Sequence, residues 1–190
     1  SHAVRRPWMY FERRLLDYLF IYIQEGTCRI RADGTDYTFE GGQFCLLQPG
    51  CLHTLQGVTN TVTPFVHMDL FYNPRRRESF PTKPAQIDLT PYAHLMQPRL
   101  NDIAGLHVPV RVEPRDPYRF RDLFLRMVET WNRHDPLGYM EAQSIATELV
   151  TTLIAQYWQQ PPSAAHEETA LDWLIAYMHL NLAEPITVDQ

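Results

Sequence analysis

The hydrophobic period of the chain changes once, near Asp116, and that change restricts the fold more than any other feature. Before it, β-branched and aromatic residues gather in short runs: LLDYLFIYI (15–23), TCRIRA (27–32), TDYTF (35–39), QFCLLQ (43–48) and VTPFVHMDLFY (62–72). Runs of this kind, bounded by turn formers, predict strands. Asp33-Gly34 marks a tight hairpin between the second and third, because glycine supplies the positive φ such a turn needs. Gly26, Gly41, Gly42 and Pro49-Gly50 mark further corners. Five or more strands at this spacing predict an antiparallel barrel or sandwich.

Beyond Asp116 the period is 3.6. Phe120, Leu123, Phe124, Met127, Val128 and Trp131 fall at i, i+3, i+4, i+7, i+8 and i+11, with Asp116 or Pro117 suited to a helix start. HDPLG breaks the chain. A second helix, about 139–159, carries Ile145, Leu149, Val150, Leu153, Ile154, Tyr157 and Trp158, a band wider than one neighbour covers. That width predicts a dimer helix; the alternative is a helix covered on both faces within one subunit. Between the halves, eight prolines in residues 73–117 deny regular hydrogen bonding and predict an irregular wrap with one short final strand at HVPVRV. Arg75, Arg76 and Arg77 at its start read as an exposed charged turn, or else as an anion contact.

Composition sets the class. At 45% apolar residues the 190-residue chain can bury a good-sized core, and its apolar runs fall short of the roughly 18 to 20 residues of a membrane span. No leader pattern opens it, so a soluble cytoplasmic protein with no membrane partner is expected. Cys28, Cys45 and Cys51 lack C-x-x-C spacing and read as reduced, buried small hydrophobes. The net charge is −5, and all seventeen basic residues lie at or before Arg133, against eight acidic residues from His134 onward. That half offers no footprint for a phosphate backbone, so the chain itself is not expected to bind DNA well.

QQPPSAAHEE (159–168) has linker composition. After it Leu171, Leu174, Ile175, Met178 and Leu182 share a helical face, Pro185 ends the helix, and Thr187 reads as the cap of another helix with no body. The expectation is a truncated chain with Ser1-His2 a tag remnant. The stretch LIAYMHLNLAEPITVDQ resembles the opening of the DNA-binding domain of AraC-type transcription regulators: a helix with Tyr-x-x-x-Asn near its end, a Pro, then the Ile-Thr-Val entry to the next helix. A barrel, a helical pair and a linker in this order resemble the regulatory domain of the same family, so the likeness spans nearly the whole chain. It implies a mainly β plus α fold, a cupin-like antiparallel β-barrel or jelly roll followed by a pair of antiparallel helices. The expected domains are a barrel with an N-terminal arm (1–115), dimerisation helices (116–159), a linker (160–169) and the start of a helix-turn-helix domain (170–190).

Gly42 through QFCLLQPGCLH to His53 is similar to the second cupin motif, in which a Gly, a strand, a Pro-Gly corner and a His follow one another. The first cupin motif, two His separated by one residue and then a carboxylate, has no counterpart in TCRIRADGTDYTFEGG. His53 and His67 alone leave an ion short of the three protein ligands catalytic sites use, with Asp69 or Cys51 the available recruits. No metal and no cofactor are expected. On TPFVHMDLFY, alternation puts Phe65, His67, Asp69 and Phe71 on one face and Val66, Met68 and Leu70 on the other. The first set suits a cavity wall for a small polar ligand and the second suits packing; a His-Asp pair satisfied in the core or at the rim is the alternative.

The resemblance implies that His67 and Asp69 touch an effector, that Tyr22 before the Gly26 corner does so too, and that Trp8 lies on an arm folding across it; core packing is the alternative for Tyr22 and a surface-exposed arm the alternative for Trp8. His53 is expected at the pocket rim. The function these readings support is non-enzymatic. The barrel binds a small-molecule effector, a carbohydrate by family analogy, the chain forms a homodimer through its helices, and promoter DNA is met only through a C-terminal domain missing from the chain. A metal-dependent cupin enzyme, isomerase or dioxygenase, is the alternative, and a dimerisation platform with no effector is a third.

Overall fold

The computed structural model describes residues 2–4 and 7–159, and one compact unit spans Ser1–Trp158. The linker and helix expected over 160–190 lie outside the described residues. Among the described residues ten strands precede two α-helices: β1 (His2–Val4), β2 (Trp8–Arg13), β3 (Tyr18–Ile23), β4 (Cys28–Ala32), β5 (Thr35–Phe39), β6 (Gln43–Leu47), β7 (His53–Gly57), β8 (Thr61–Thr63), β9 (Phe65–Met68), β10 (Arg111–Val112), α1 (Pro117–Trp131) and α2 (Pro136–Tyr157), with two short 3-10 turns, Thr90–Leu95 and Leu100–Asp102, between β9 and β10. One four-stranded antiparallel sheet has the order β10-β6-β3-β9 and the other β2-β7-β4-β5, while β1 pairs with β8.

Between the sheets lies one apolar core. Leu19, Ile21 and Ile23 of β3 and Cys45 and Leu47 of β6 meet Cys28, Ile30, Phe39 and Leu55 of the opposite sheet. A second core forms on the other side of β3 and β6, where α1 and α2 pack. Phe20 sits 5.2 Å from Phe124 and 5.8 Å from Phe120, ring centroid to centroid, and Phe44 lies 5.1 Å from Phe120. These ring pairs, edge-on at Phe20–Phe124 and Phe44–Phe120 and tilted at Phe20–Phe120, anchor α1 to the sheet. All three cysteines are free and buried, and desolvation raises their thiol pKa, to about 11 for Cys28 and about 12 for Cys51.

The hairpin at Asp33-Gly34 takes the expected form, with φ of 47° and 83°. Both helices open as capped elements. The Asp116 side chain accepts from the Arg119 N–H at 3.0 Å, and the Asp135 side chain accepts from the Gly138 N–H at 2.7 Å. Proline stands at the start of each, where its missing N–H is no loss, so α2 begins at Pro136, three residues earlier than its apolar band suggests.

Four expectations change. The N-terminal arm contains a true strand, β2, laid antiparallel on β7. β7 itself was not legible as a strand, because HTLQG carries one aliphatic residue. The long run 62–72 is two short strands, β8 and β9, interrupted at Pro64, which has no N–H for the ladder. HVPVRV contributes two residues, Arg111 and Val112, to the edge of β6. Among the described residues no helix is long and apolar enough to cross a membrane.

Phe124 is fully buried in the second core. Phe124→Ala is expected to destabilise the protein by about 3 to 5 kcal/mol, the range for a large aromatic lost from a packed core. Equilibrium urea unfolding measures this, and a loss under about 1 kcal/mol would show that the helices are not held through this ring.

Candidate functional site

A cavity of about 220 Å³ opens between the sheets. Its walls come from separate strands. β2 contributes Trp8, Tyr10 and Arg13; β3 contributes Leu19 and Ile21; β7, β8 and β9 contribute Leu55, Thr63, Phe65 and His67. Register explains the set: Leu19 pairs with His67 and Ile21 with Phe65 across β3 and β9, so these four side chains project from the same face.

Trp8 is seated by a glycine. A Cβ built on Gly57 would stand 2.3 Å from the Trp8 indole nitrogen, so the ring lies directly on the β7 backbone. Its N–H donates to Thr61 Oγ1 at 2.7 Å, and its ring meets Tyr10 edge-on at 5.5 Å.

Arg13 reaches the cavity through a register fault. Trp8, Met9 and Tyr10 pair with Gly57, Gln56 and Leu55, but Arg13 pairs with His53, so three steps along β2 match two along β7. Regular alternation would turn Arg13 away from Trp8 and Tyr10; the extra residue of a β-bulge brings it to their side. One guanidinium N–H donates to the Thr82 carbonyl at 2.9 Å, and the group lies 5.7 Å from the Tyr10 ring centroid. Its Nε is buried with no hydrogen-bond partner, and desolvation lowers its pKa.

His67 stands at the rim. Its Nδ1 lies 3.1 and 3.2 Å from the two carboxylate oxygens of Asp17, which fixes the ring, and its ring packs edge-on to Phe65 at 5.9 Å. His53 lies deeper, 1% exposed. It occupies the same inward face of β7 as Leu55, two residues on, and is the Cα partner of Arg13. Its Nδ1 is 3.0 Å from the Cys51 carbonyl, which can only accept, so Nδ1 carries the proton and Nε2 presents a lone pair that has no partner. Burial holds the His53 pKa down at about 4.

Thus the structure gathers three of the six residues expected at the site, Trp8, Phe65 and His67, around one cavity. His53 is buried and is not among the residues that line it. Tyr22 faces the other way: it is stacked on Phe44 at 4.7 Å and packs near Phe124, because the even residues of β3 point to the helices. Asp69 also leaves the site. β9 ends at Met68, alternation lapses there, and the Asp69 carboxylate accepts from Asn73 at 3.1 Å and pairs with Arg76 at 3.4 Å. Phe71 packs on the helix side for the same reason. Sequence reasoning missed Arg13, Tyr10, Leu19, Ile21, Leu55 and Thr63. The i, i+2 spacing of Trp8 and Tyr10 was available as a signal; the bulge that turns Arg13 was not. Among the described residues no group of three or more His, Cys, Asp or Glu comes together as a metal site.

Comparison with known proteins adds a family. The family model for the AraC-like ligand binding domain matches residues 2–150. No curated protein matches the chain. Among solved structures, the AraC-like transcriptional activator CuxR is similar at 14% identity and a TM-score of 0.48, covering 93% of this chain and 57% of its own. ToxT from Vibrio cholerae, solved with a bound unsaturated fatty acid, is similar at 10% identity and a TM-score of 0.46, covering 97% of this chain and 62% of its own. Oxalate decarboxylase from B. subtilis matches over 42% of this chain and 22% of its own, at 15% identity and a TM-score of 0.33. The chain therefore spans 57% and 62% of the length of the two regulators, and the family assignment rests on the family model.

The depressed pKa of His53 gives stability a pH dependence. Between its unfolded value of 6.5 and its folded value of about 4, the unfolded chain binds a proton that the folded chain refuses. Its neutral burial is therefore fully tolerated above pH 6.5 and penalised progressively as pH falls to 4, by roughly 3 kcal/mol at most. Urea midpoints across this window should fall less steeply with acid in His53→Gln than in the wild type; parallel curves would show that His53 is not the group refused its proton.

Proposed function

Since this chain belongs, over residues 2–150, to the family of AraC-like ligand-binding domains, we propose that it is the small-molecule-sensing and dimerising regulatory part of a transcription regulator. The observation that carries this reading is the cavity. Aromatic, aliphatic and a few polar side chains from five strands converge on one open-mouthed cavity, the usual make-up of a small-molecule site. Trp8, Phe65 and His67 are the effector contacts, joined by Tyr10 and Arg13. The role is regulatory and not enzymatic, and no cofactor takes part. DNA is met by another part of the regulator, in keeping with the absence of Lys and Arg after Arg133.

The sequence expectation of a sugar effector stands as one arm of the test. A thermal-shift panel of sugars, sugar acids and aromatic acids should contain a compound that raises stability, by about 2.7 kcal/mol when present at 100 times its Kd. Trp8→Ala and His67→Ala should each lose most of that shift; a shift unchanged in both variants would mean that the compound binds elsewhere.

Dimerisation belongs to the same proposal. Trp131, Leu137 and Met140 are exposed around the α1–α2 turn, an apolar surface suited to a second copy. At micromolar concentration the chain should sediment as a dimer, and Leu137→Glu combined with Met140→Glu should shift it to monomer; a wild-type monomer would remove this part of the proposal.

A further inference from the structure

Resting on the sensor reading, we infer that the cavity between the sheets takes a compact monocarboxylic acid with an apolar body, its carboxylate held by Arg13.

The polar inventory of the walls points to a single charged end. The Trp8 indole N–H is spent on Thr61, the Nδ1 of His67 on Asp17, and Tyr10 and Thr63 have interactions within the protein. Arg13 stands apart as the residue that brings a fixed positive charge to the wall, with no ion pair to a carboxylate among the described residues. The remaining walls, Leu19, Ile21, Leu55 and Phe65, can pair with no hydroxyl. A sugar would press several hydroxyl groups against them, at roughly 1 to 3 kcal/mol for each one left unpaired. An acid with a hydrocarbon body meets both requirements at once.

Charge gives the same answer. Among the described residues Arg13 has no carboxylate within ion-pair distance, and the nearby Asp17 is engaged by His67. A half-buried guanidinium lacking a counter-ion readily takes one, and the terminal N–H groups not spent on the Thr82 carbonyl can make the contact a charge-assisted hydrogen bond. The bulge in β2 is what delivers this group to the cavity.

Two further features narrow the class. The volume of about 220 Å³ lies below the roughly 300 to 1,000 Å³ of sites for drug-sized ligands, so the acid is small. Arg13 is the one arginine or lysine among the described residues that line the cavity, so one carboxylate is matched and a second would be buried without a counter-ion.

The test compares benzoate and hexanoate with benzamide and hexanamide, their uncharged counterparts, and with D-ribose, by calorimetry on the whole chain. At least one acid should bind, with its amide roughly 10-fold weaker or more, and Arg13→Gln should weaken the acid roughly 10- to 100-fold, as expected for a lost charge-assisted contact. The wild-type comparison of acid with amide decides the matter even if the variant does not fold. Amides binding as tightly as acids, or ribose binding best, would overturn the inference and leave the sensor reading standing. Failure of every probe would also overturn it, and the sensor reading would then be judged on the wider panel.

Discussion

Strand β3 has no solvent side, and the rest of the molecule is arranged around that fact. All six residues from Tyr18 to Ile23 are buried. Its edges are hydrogen-bonded to β6 and β9, its odd-numbered side chains fill the space between the sheets, and its even-numbered ones meet the helices. Fully burying a large apolar side chain contributes about 1.5 to 3 kcal/mol, so both layers are held through the same short stretch of chain. A strand covered on both faces reads as an uninterrupted apolar run, and YLFIYI is such a run.

The cavity, by contrast, is made by departures from regularity. Gly57 leaves the β7 backbone bare, and Trp8 occupies the place a side chain would fill. A bulge between Tyr10 and Arg13 turns a guanidinium inward that strict alternation would send out. His53, the strand partner of Arg13, is buried with one ring nitrogen unpaired. Local rules are broken together at one place, which is where a protein is expected to break them if the place has a use.

Much of this architecture was legible in the residues. The hairpin at Asp33-Gly34, the Asp116 cap and the alternation that puts Phe65 and His67 opposite Val66 and Met68 all follow from local chemistry that the tertiary structure leaves intact. Tyr22 was misplaced because a continuous apolar run carries no signal of which face is which; only the helices decide it. Asp69 was misplaced because alternation was carried one residue past the end of β9. β7 was hidden because its inward set is His53, Leu55 and Gly57, chosen by the cavity and by Trp8 and not by strand propensity. The bulge depends on pairing between segments some forty residues apart, which no local pattern encodes.

The thickness of one strand separates the cavity from the helices. Leu19 and Ile21 line the cavity, while Phe20 between them touches Phe120 and Phe124 of α1. A ligand acts on the helices only to the extent that it binds one arrangement of them better than another. Close packing makes such discrimination available, because a side chain displaced on one face of β3 has no void to move into without shifting its neighbours. A coupling of roughly 1 to 3 kcal/mol, typical between linked sites, is comparable to the packing of a single aromatic ring in that layer. Small rearrangement of Phe20 against α1 is therefore enough in energy to carry a binding event from the cavity to the helical surface, with no need for the barrel itself to open.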